Sequence, residues 1–148
     1  MSHDTATAAL DYWKHNHLQS PRLVAGQPHR GQLAAHIAAL VPAGGAILEF
    51  GCSSGRNLAT LRALRPDIAL HGIDAAQQSL HAGRDAHPSI AFTLGDEGTL
   101  AALAEAGTRY DVAFTCSVLD HIPEPEWRLV YHDLVRVSRV AVVLLEPV

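Results

Sequence analysis

The sequence predicts an α/β domain: a doubly wound, mostly parallel five-stranded sheet with helices on both faces. Three observations carry this. Apolar runs alternate with helical periodicity from residue 46 onward. The runs are continuously apolar, as in Val140-Ala141-Val142-Val143-Leu144-Leu145, which marks strands covered on both faces of a parallel sheet. Successive runs close on a carboxylate or a small-residue loop, at Glu49, Asp74 and Asp96, the ends where such sheets bind ligands.

The elements follow in order. Residues 1–28 form an arm broken by Pro21, Gly26 and Pro28, and residues 29–148 form the domain. Tyr12 and Trp13 are large apolar residues in a polar stretch; they read as an anchor on the body, with a lid role as the alternative. From His29, the residues Leu33, Ile37, Leu40 and Val41 keep helical spacing until Pro42-Ala43-Gly44-Gly45 stops it. Residues 46–50 are a buried strand. Residues 56–64 are a helix with Leu58, Leu61 and Leu64 on one face, ended by Pro66. A second strand at 68–73 finishes at Asp74, and a short helix covers 75–83. A third strand at 90–94 leads to Gly95-Asp96, and a helix at 99–106 closes at Gly107. The fourth strand is 110–115. A helix at 123–137 puts Trp127, Val130, Leu134 and Val137 together, and the fifth strand is 140–145.

Composition narrows the function. One domain is the expectation for 148 residues, and 48% hydrophobic content belongs to a folded chain. With 11 basic and 15 acidic residues the net charge is -4, and no Lys/Arg block offers a face to nucleic acid or an anionic membrane. No apolar run is long enough to cross a bilayer. Met1-Ser2-His3-Asp4 lacks the basic start and apolar core of a secretory signal, so a cytoplasmic protein is expected. Cys52 and Cys116 make neither a disulfide framework nor a zinc pattern and read as small apolar fillers. His15 and His17 are the one close histidine pair, and two nitrogens alone make a weak metal site, so no metal is expected.

The chemistry centres on Glu49-Phe50-Gly51-Cys52-Ser53-Ser54-Gly55, a strand end running through a loop with little side-chain bulk into a helix. Such a loop lets backbone approach a ligand closely. A dinucleotide fingerprint needs glycine at its first, third and sixth positions, here Gly51, Ser53 and Arg56, so two of three fail. A phosphate loop of the Gly-Lys-Ser/Thr kind is excluded, because no such triplet follows. An acid-x-Gly-x-Gly-x-Gly spacing fits better, with Ser53 as the departure. Right-handed crossovers bring Asp74, Asp96 and the stretch Cys116-Ser117-Val118-Leu119-Asp120-His121-Ile122-Pro123 to the same sheet edge.

These motifs, with Gly95-Asp96 and Asp111-Val112-Ala113-Phe114 in their places, resemble the class I S-adenosylmethionine-dependent methyltransferases over roughly residues 30–148. The resemblance implies a Rossmann-like sheet and S-adenosylmethionine as cofactor, with S-adenosylhomocysteine as product. It implies that Gly51, Ser53 and Gly55 form the floor under the cofactor's amino-acid part, that Glu49 steadies the loop, and that Cys52 and Ala75 line the same cleft. Asp74 would accept from the two ribose hydroxyls, and Asp96 would meet the adenine amine with Glu97 beside it. Cys116 and Ser117 would line the cofactor by their backbone. His121, with Asp120 adjacent, is the candidate base for a small-molecule acceptor; a capping or packing role is its alternative. Asp74 and Asp96 each have a helix-cap reading as well. Family members usually carry further strands after the fifth, so strand five is expected to be a bare apolar edge that pairs with another chain, in a homodimer or heteromer. The alternatives to a free-standing enzyme are a cofactor-binding subunit without turnover and a module that needs a partner.

Overall fold

A computed structural model describes residues 28–146. The expectations for the N-terminal arm, including Tyr12, Trp13, His15 and His17, lie outside these residues. Five strands form one sheet: β1 (Ala46–Phe50), β2 (Ala69–Asp74), β3 (Ala91–Leu94), β4 (Tyr110–Cys116) and β5 (Ser138–Leu145). All pairings are parallel and the spatial order is β3-β2-β1-β4-β5. The winding direction therefore reverses between β1 and β4, which opens a crevice at their carboxyl ends.

Helices α1 (Pro28–Leu40), α2 (Arg56–Leu64) and α3 (Gln77–Ala86) cover one face; α4 (Glu97–Glu105) and α5 (Glu126–Arg136) cover the other. The continuous apolar runs have a direct cause. In β1, Ile47 enters the first core with Leu58, Leu61, Val112 and Phe114, while its neighbours Leu48 and Phe50 enter the second with Leu100, Val130 and Leu134. Successive side chains alternate faces, and both faces are apolar. Burying Leu58 and Leu61 contributes about 1.5–3 kcal/mol each, which holds α2 and the loop before it against the sheet.

The strands and helices match their expected positions, with local corrections. Leu64 is half exposed rather than on the buried face of α2. α1 takes in Pro28, because proline is tolerated in a first helical turn. α3 starts at Gln77, not residue 75, because the Asp74 carboxylate accepts from Ala76 N (2.8 Å) and keeps Ala76 extended. It also runs through Gly83, where the missing side chain admits the Ser54 carbonyl and the Phe92 ring. α4 starts at Glu97 rather than Thr99, since Asp96 caps it. α5 starts at Glu126 rather than Pro123, because a residue before proline, here Glu124, is pushed out of helical geometry. β5 extends back to Ser138, which pairs with Tyr110. Asp111 lies at the opposite end of β4 from the crevice, where it accepts from Ala46 N (2.8 Å).

Candidate active site

The loop after β1 folds over the end of β2. Gly51 N and Cys52 N both donate to Ile73 O (2.8 and 3.0 Å). Ser53 N donates to Asp74 Oδ2 (2.8 Å), while Asp74 Oδ1 accepts from Ala76 N. Asp74 is thus not a cap of α3, whose N-cap position is Ala76; its carboxylate joins the loop to the next turn. Gly51 and Gly55 both have φ +79°, the left-handed region that glycine enters without penalty. A side chain at Gly55 would lie 2.5 Å from Phe92 Cζ, so this glycine also seats β3 against the loop. Ser53 (φ +52°) and Ser117 (φ +55°) are the left-handed residues other than glycine among the described residues. Each costs about 1–3 kcal/mol, and such strain collects at functional sites.

Glu49 is 1% exposed. Its Oε1 accepts from Asn57 Nδ2 (2.8 Å), and the Asn57 amide is oriented by Arg30 Nε, which donates to its Oδ1 (3.0 Å). The second oxygen, Oε2, is buried without a partner. Burial pushes the Glu49 carboxyl up to about 8; the Asn57 bond opposes this, Asp74 adds to it and Arg30 opposes it. Burial thus favours the neutral carboxyl, and the unpartnered oxygen lies beside a loop of bare backbone. A buried polar atom left unpaired in a native fold calls for a partner, which a water, an ion or a ligand can supply.

The remaining predicted residues sit along the same edge. Gly95 N donates to Asp74 O (3.0 Å), which ties the end of β3 to that of β2. Asp96 caps α4: Oδ1 accepts from Gly98 N (3.0 Å) and Thr99 N (3.3 Å), and Thr99 Oγ1 accepts from Asp96 N (3.1 Å). Glu97 opens that helix. Cys52 meets the crevice by its backbone alone, for its Sγ fills the space above Gly72 in the first core. Burial pushes the Cys52 thiol far up and raises that of Cys116, so neither is a thiolate nucleophile at neutral pH. Cys116 ends β4, and exposed Ser117 donates its N–H to Leu145 O (2.8 Å). A short 3₁₀ turn, Leu119–His121, carries Asp120 and His121 at the surface, with 3.6 Å between His121 Nε2 and Asp120 Oδ2. The described residues contain no group of three or more His, Cys, Asp or Glu placed to hold a metal ion.

Two site residues escaped the sequence reading. Asn57 is the partner of Glu49, one turn into α2. Glu146, just past β5, accepts hydrogen bonds from Thr115 and from the loop after β4. The strand-end rule that singled out Glu49, Asp74 and Asp96 applies equally to Glu146.

The crevice at the switch point of this parallel sheet is floored by left-handed backbone and flanked by Glu49 and Asp74, the place where such sheets take ligands. Residues 48–139 match the model described as a methyltransferase domain, and the chain belongs to that family. Its cofactor is S-adenosylmethionine, and its place is among the S-adenosylmethionine-dependent methyltransferases. No curated protein matches the chain. Among solved structures, magnesium protoporphyrin IX methyltransferase from Synechocystis with bound S-adenosylmethionine superposes with a TM-score of 0.72 at 17% identity, over 97% of this chain and 76% of that one. CalS10 from Micromonospora echinaspora, an amino pentose methyltransferase, gives 0.70 at 20% identity, over 86% and 54%. The cyclase SpnF gives 0.61 at 18% identity, over 74% and 41%. At these identities the likeness is one of fold.

Proposed function

We propose that this chain transfers a methyl group from S-adenosylmethionine to a small-molecule acceptor in the cytoplasm. The observation that carries the reading is the joined unit of Glu49, the Gly51 to Gly55 loop and Asp74. Gly51, Cys52, Ser53 and Gly55 supply the backbone floor for the cofactor's amino-acid part. Glu49 offers its unpartnered Oε2 to the ammonium end. Asp74 spends one lone pair of each oxygen on loop N–H groups and keeps another for each ribose hydroxyl. Asp96 uses Oδ1 for its cap and presents Oδ2 to the adenine amine, with Ala75 and Glu97 flanking and the Cys116 and Ser117 backbone opposite. The cofactor supplies a methyl group already activated on a sulfonium. What the chain adds is alignment of the acceptor, worth about 7–11 kcal/mol of barrier, and a base. His121, backed by Asp120, takes the proton from an oxygen or nitrogen acceptor.

The small-molecule class is supported by the missing basic face and by the porphyrin and sugar methyltransferases of the same fold. The cyclase of the same fold makes turnover the deciding measurement. Calorimetry with S-adenosylmethionine and S-adenosylhomocysteine tests the shared step, and turnover against a panel of small acceptors tests the chemistry. Binding without turnover would assign the chain to a non-catalytic subunit. Asp74→Ala is expected to weaken S-adenosylhomocysteine binding by about 1.5–3 kcal/mol, the range for hydrogen bonds to a charged group; unchanged affinity would leave Asp74 a loop tie only. His121→Ala should lower turnover and spare that affinity, and normal turnover removes His121 from the mechanism.

The reading includes a partner at β5. Among the described residues this strand is one of the sheet's two edges, and Val140, Leu144 and Leu145 are exposed on it, as are Leu129, Tyr131 and Val135 on α5. An open groove of about 240 Å³ runs along it between Tyr131, Val135, Arg139 and Val142. An apolar edge of this length pairs with another strand, in a homodimer or a heteromer. Light scattering at micromolar concentration should give more than one chain's mass for the homodimer; a monomer with no co-purifying chain counts against both.

A further inference from the structure

The loop after β4 is held by a residue that no motif includes. Glu146 Oε1 accepts from Thr115 Oγ1 (2.6 Å), and Oε2 accepts from both Val118 N (2.9 Å) and Leu119 N (3.0 Å). One step earlier, Ser117 N donates to Leu145 O, which continues the β4–β5 ladder into the loop. The left-handed turn at Ser117 breaks the strand and presents successive N–H groups, at Val118 and Leu119, to a single oxygen. Val118 then packs against Gly51, where a side chain would overlap its methyl groups. The residues that follow it form the turn carrying Asp120 and His121, closed by His121 N donating to Val118 O (3.1 Å).

We infer that Glu146 is a positioning residue of the active site: its carboxylate fixes the Ser117 to His121 loop against the glycine floor, so that the end of β5 sets where the acceptor-side groups stand. The inference deepens the methyltransferase reading and rests on it. A carboxylate suits the task because it accepts several donors at once, two of them backbone N–H groups that have no partner within the sheet. Glutamine keeps the shape. With its oxygen toward Val118 and Leu119 and its NH₂ toward Thr115, whose hydroxyl rotates to accept, all three contacts survive. Alanine loses all three.

The test compares Glu146→Ala and Glu146→Gln in the full chain by two readouts: residue-resolved amide exchange, and calorimetry with S-adenosylhomocysteine. In Glu146→Ala, exchange at Val118 and Leu119 should accelerate at least about tenfold while the core amide of Leu48 keeps its protection, which is local opening rather than global unfolding. S-adenosylhomocysteine affinity should fall about tenfold, the equivalent of one charge-assisted hydrogen bond. Glu146→Gln should stay within about threefold of the parent in both readouts. Parent-like affinity in Glu146→Ala overturns the positioning role. Failure of that variant to fold, or equal acceleration at Leu48, overturns it in favour of plain stability. A parent chain that binds no S-adenosylhomocysteine overturns the cofactor reading itself, and the positioning role with it.

Discussion

Glu49→Gln should make the protein more stable above neutral pH and abolish a decline in stability that the parent shows as the solution is made alkaline. The Glu49 carboxyl titrates near 4.5 when free and at about 8 in the fold, chiefly because burial penalises the charge. Between those values the unfolded chain has lost the proton and the folded chain has kept it. The folded state binds more protons, so stability is fully present below 4.5 and is lost as the pH rises through 8. The slope is about 1.4 kcal/mol per pH unit, on the order of 5 kcal/mol across the window. Glutamine carries no charge at any pH and keeps an acceptor for Asn57, so its denaturation midpoints at pH 5, 7 and 9 should lack this trend. Parallel curves for parent and variant would show that Glu49 is ionised in the fold. The same group ties stability to function. If its Oε2 receives the cofactor's ammonium, ionisation is favoured on binding, so parent affinity for S-adenosylhomocysteine should strengthen toward pH 8 and that of Glu49→Gln should not.

Much of this architecture is legible in the chain, for reasons that differ by element. The bounds of β1 and α2 agree with their sequence reading because strong local signals flank them: Pro42-Ala43-Gly44-Gly45 before, the glycine loop between, Pro66 after. Where a helix start depends on a side chain reaching back to the backbone, the reading slips. Asp74 delays α3 by holding Ala76, and Asp96 advances α4 by capping it across a glycine that looks like a breaker. Asp96 belongs to a capping box and Asp74 to a loop tie, so the two carboxylates, alike in sequence, do different structural work. The strand-end acids were visible because parallel topology alone brings them together. Asn57 was not, since its importance comes from its hydrogen bonds to Glu49 and Arg30, and spacing carries no trace of those; Glu146 stands at a strand end like the other acids, but its hold on the loop after β4 shows only in the fold. The left-handed geometry of Ser53 was equally hidden: a glycine there would have announced it, and serine pays for the same geometry in strain.

Gly51→Ala is expected to be among the most damaging single-methyl changes in the site. Two independent penalties meet there. The residue holds φ +79°, which costs an L-side chain about 1–2 kcal/mol. The added methyl would also overlap Val118 Cγ2 and lie 3.1 Å from Val118 Cγ1, and forcing one group into a filled space costs about 1–3 kcal/mol. Together they reach about 2–5 kcal/mol, a large part of the 5–15 kcal/mol that holds a domain folded. The two parts can be separated. Val118→Ala in the same chain should relieve the packing share and leave the dihedral share, so after the cost of Val118→Ala alone is subtracted the double-mutant cycle should read a favourable coupling of about 1–3 kcal/mol. Binding should not recover with it. Gly51 N anchors the loop on Ile73 O (2.8 Å), and a shift in φ swings that N–H and the floor beyond it. Denaturant titration and S-adenosylhomocysteine calorimetry on the three variants check both parts. Should Gly51→Ala fold within about 0.5 kcal/mol of the parent, the level of an ordinary surface change, and bind as the parent does, the close approach of the glycine loop to the β4 loop would not be what shapes this site.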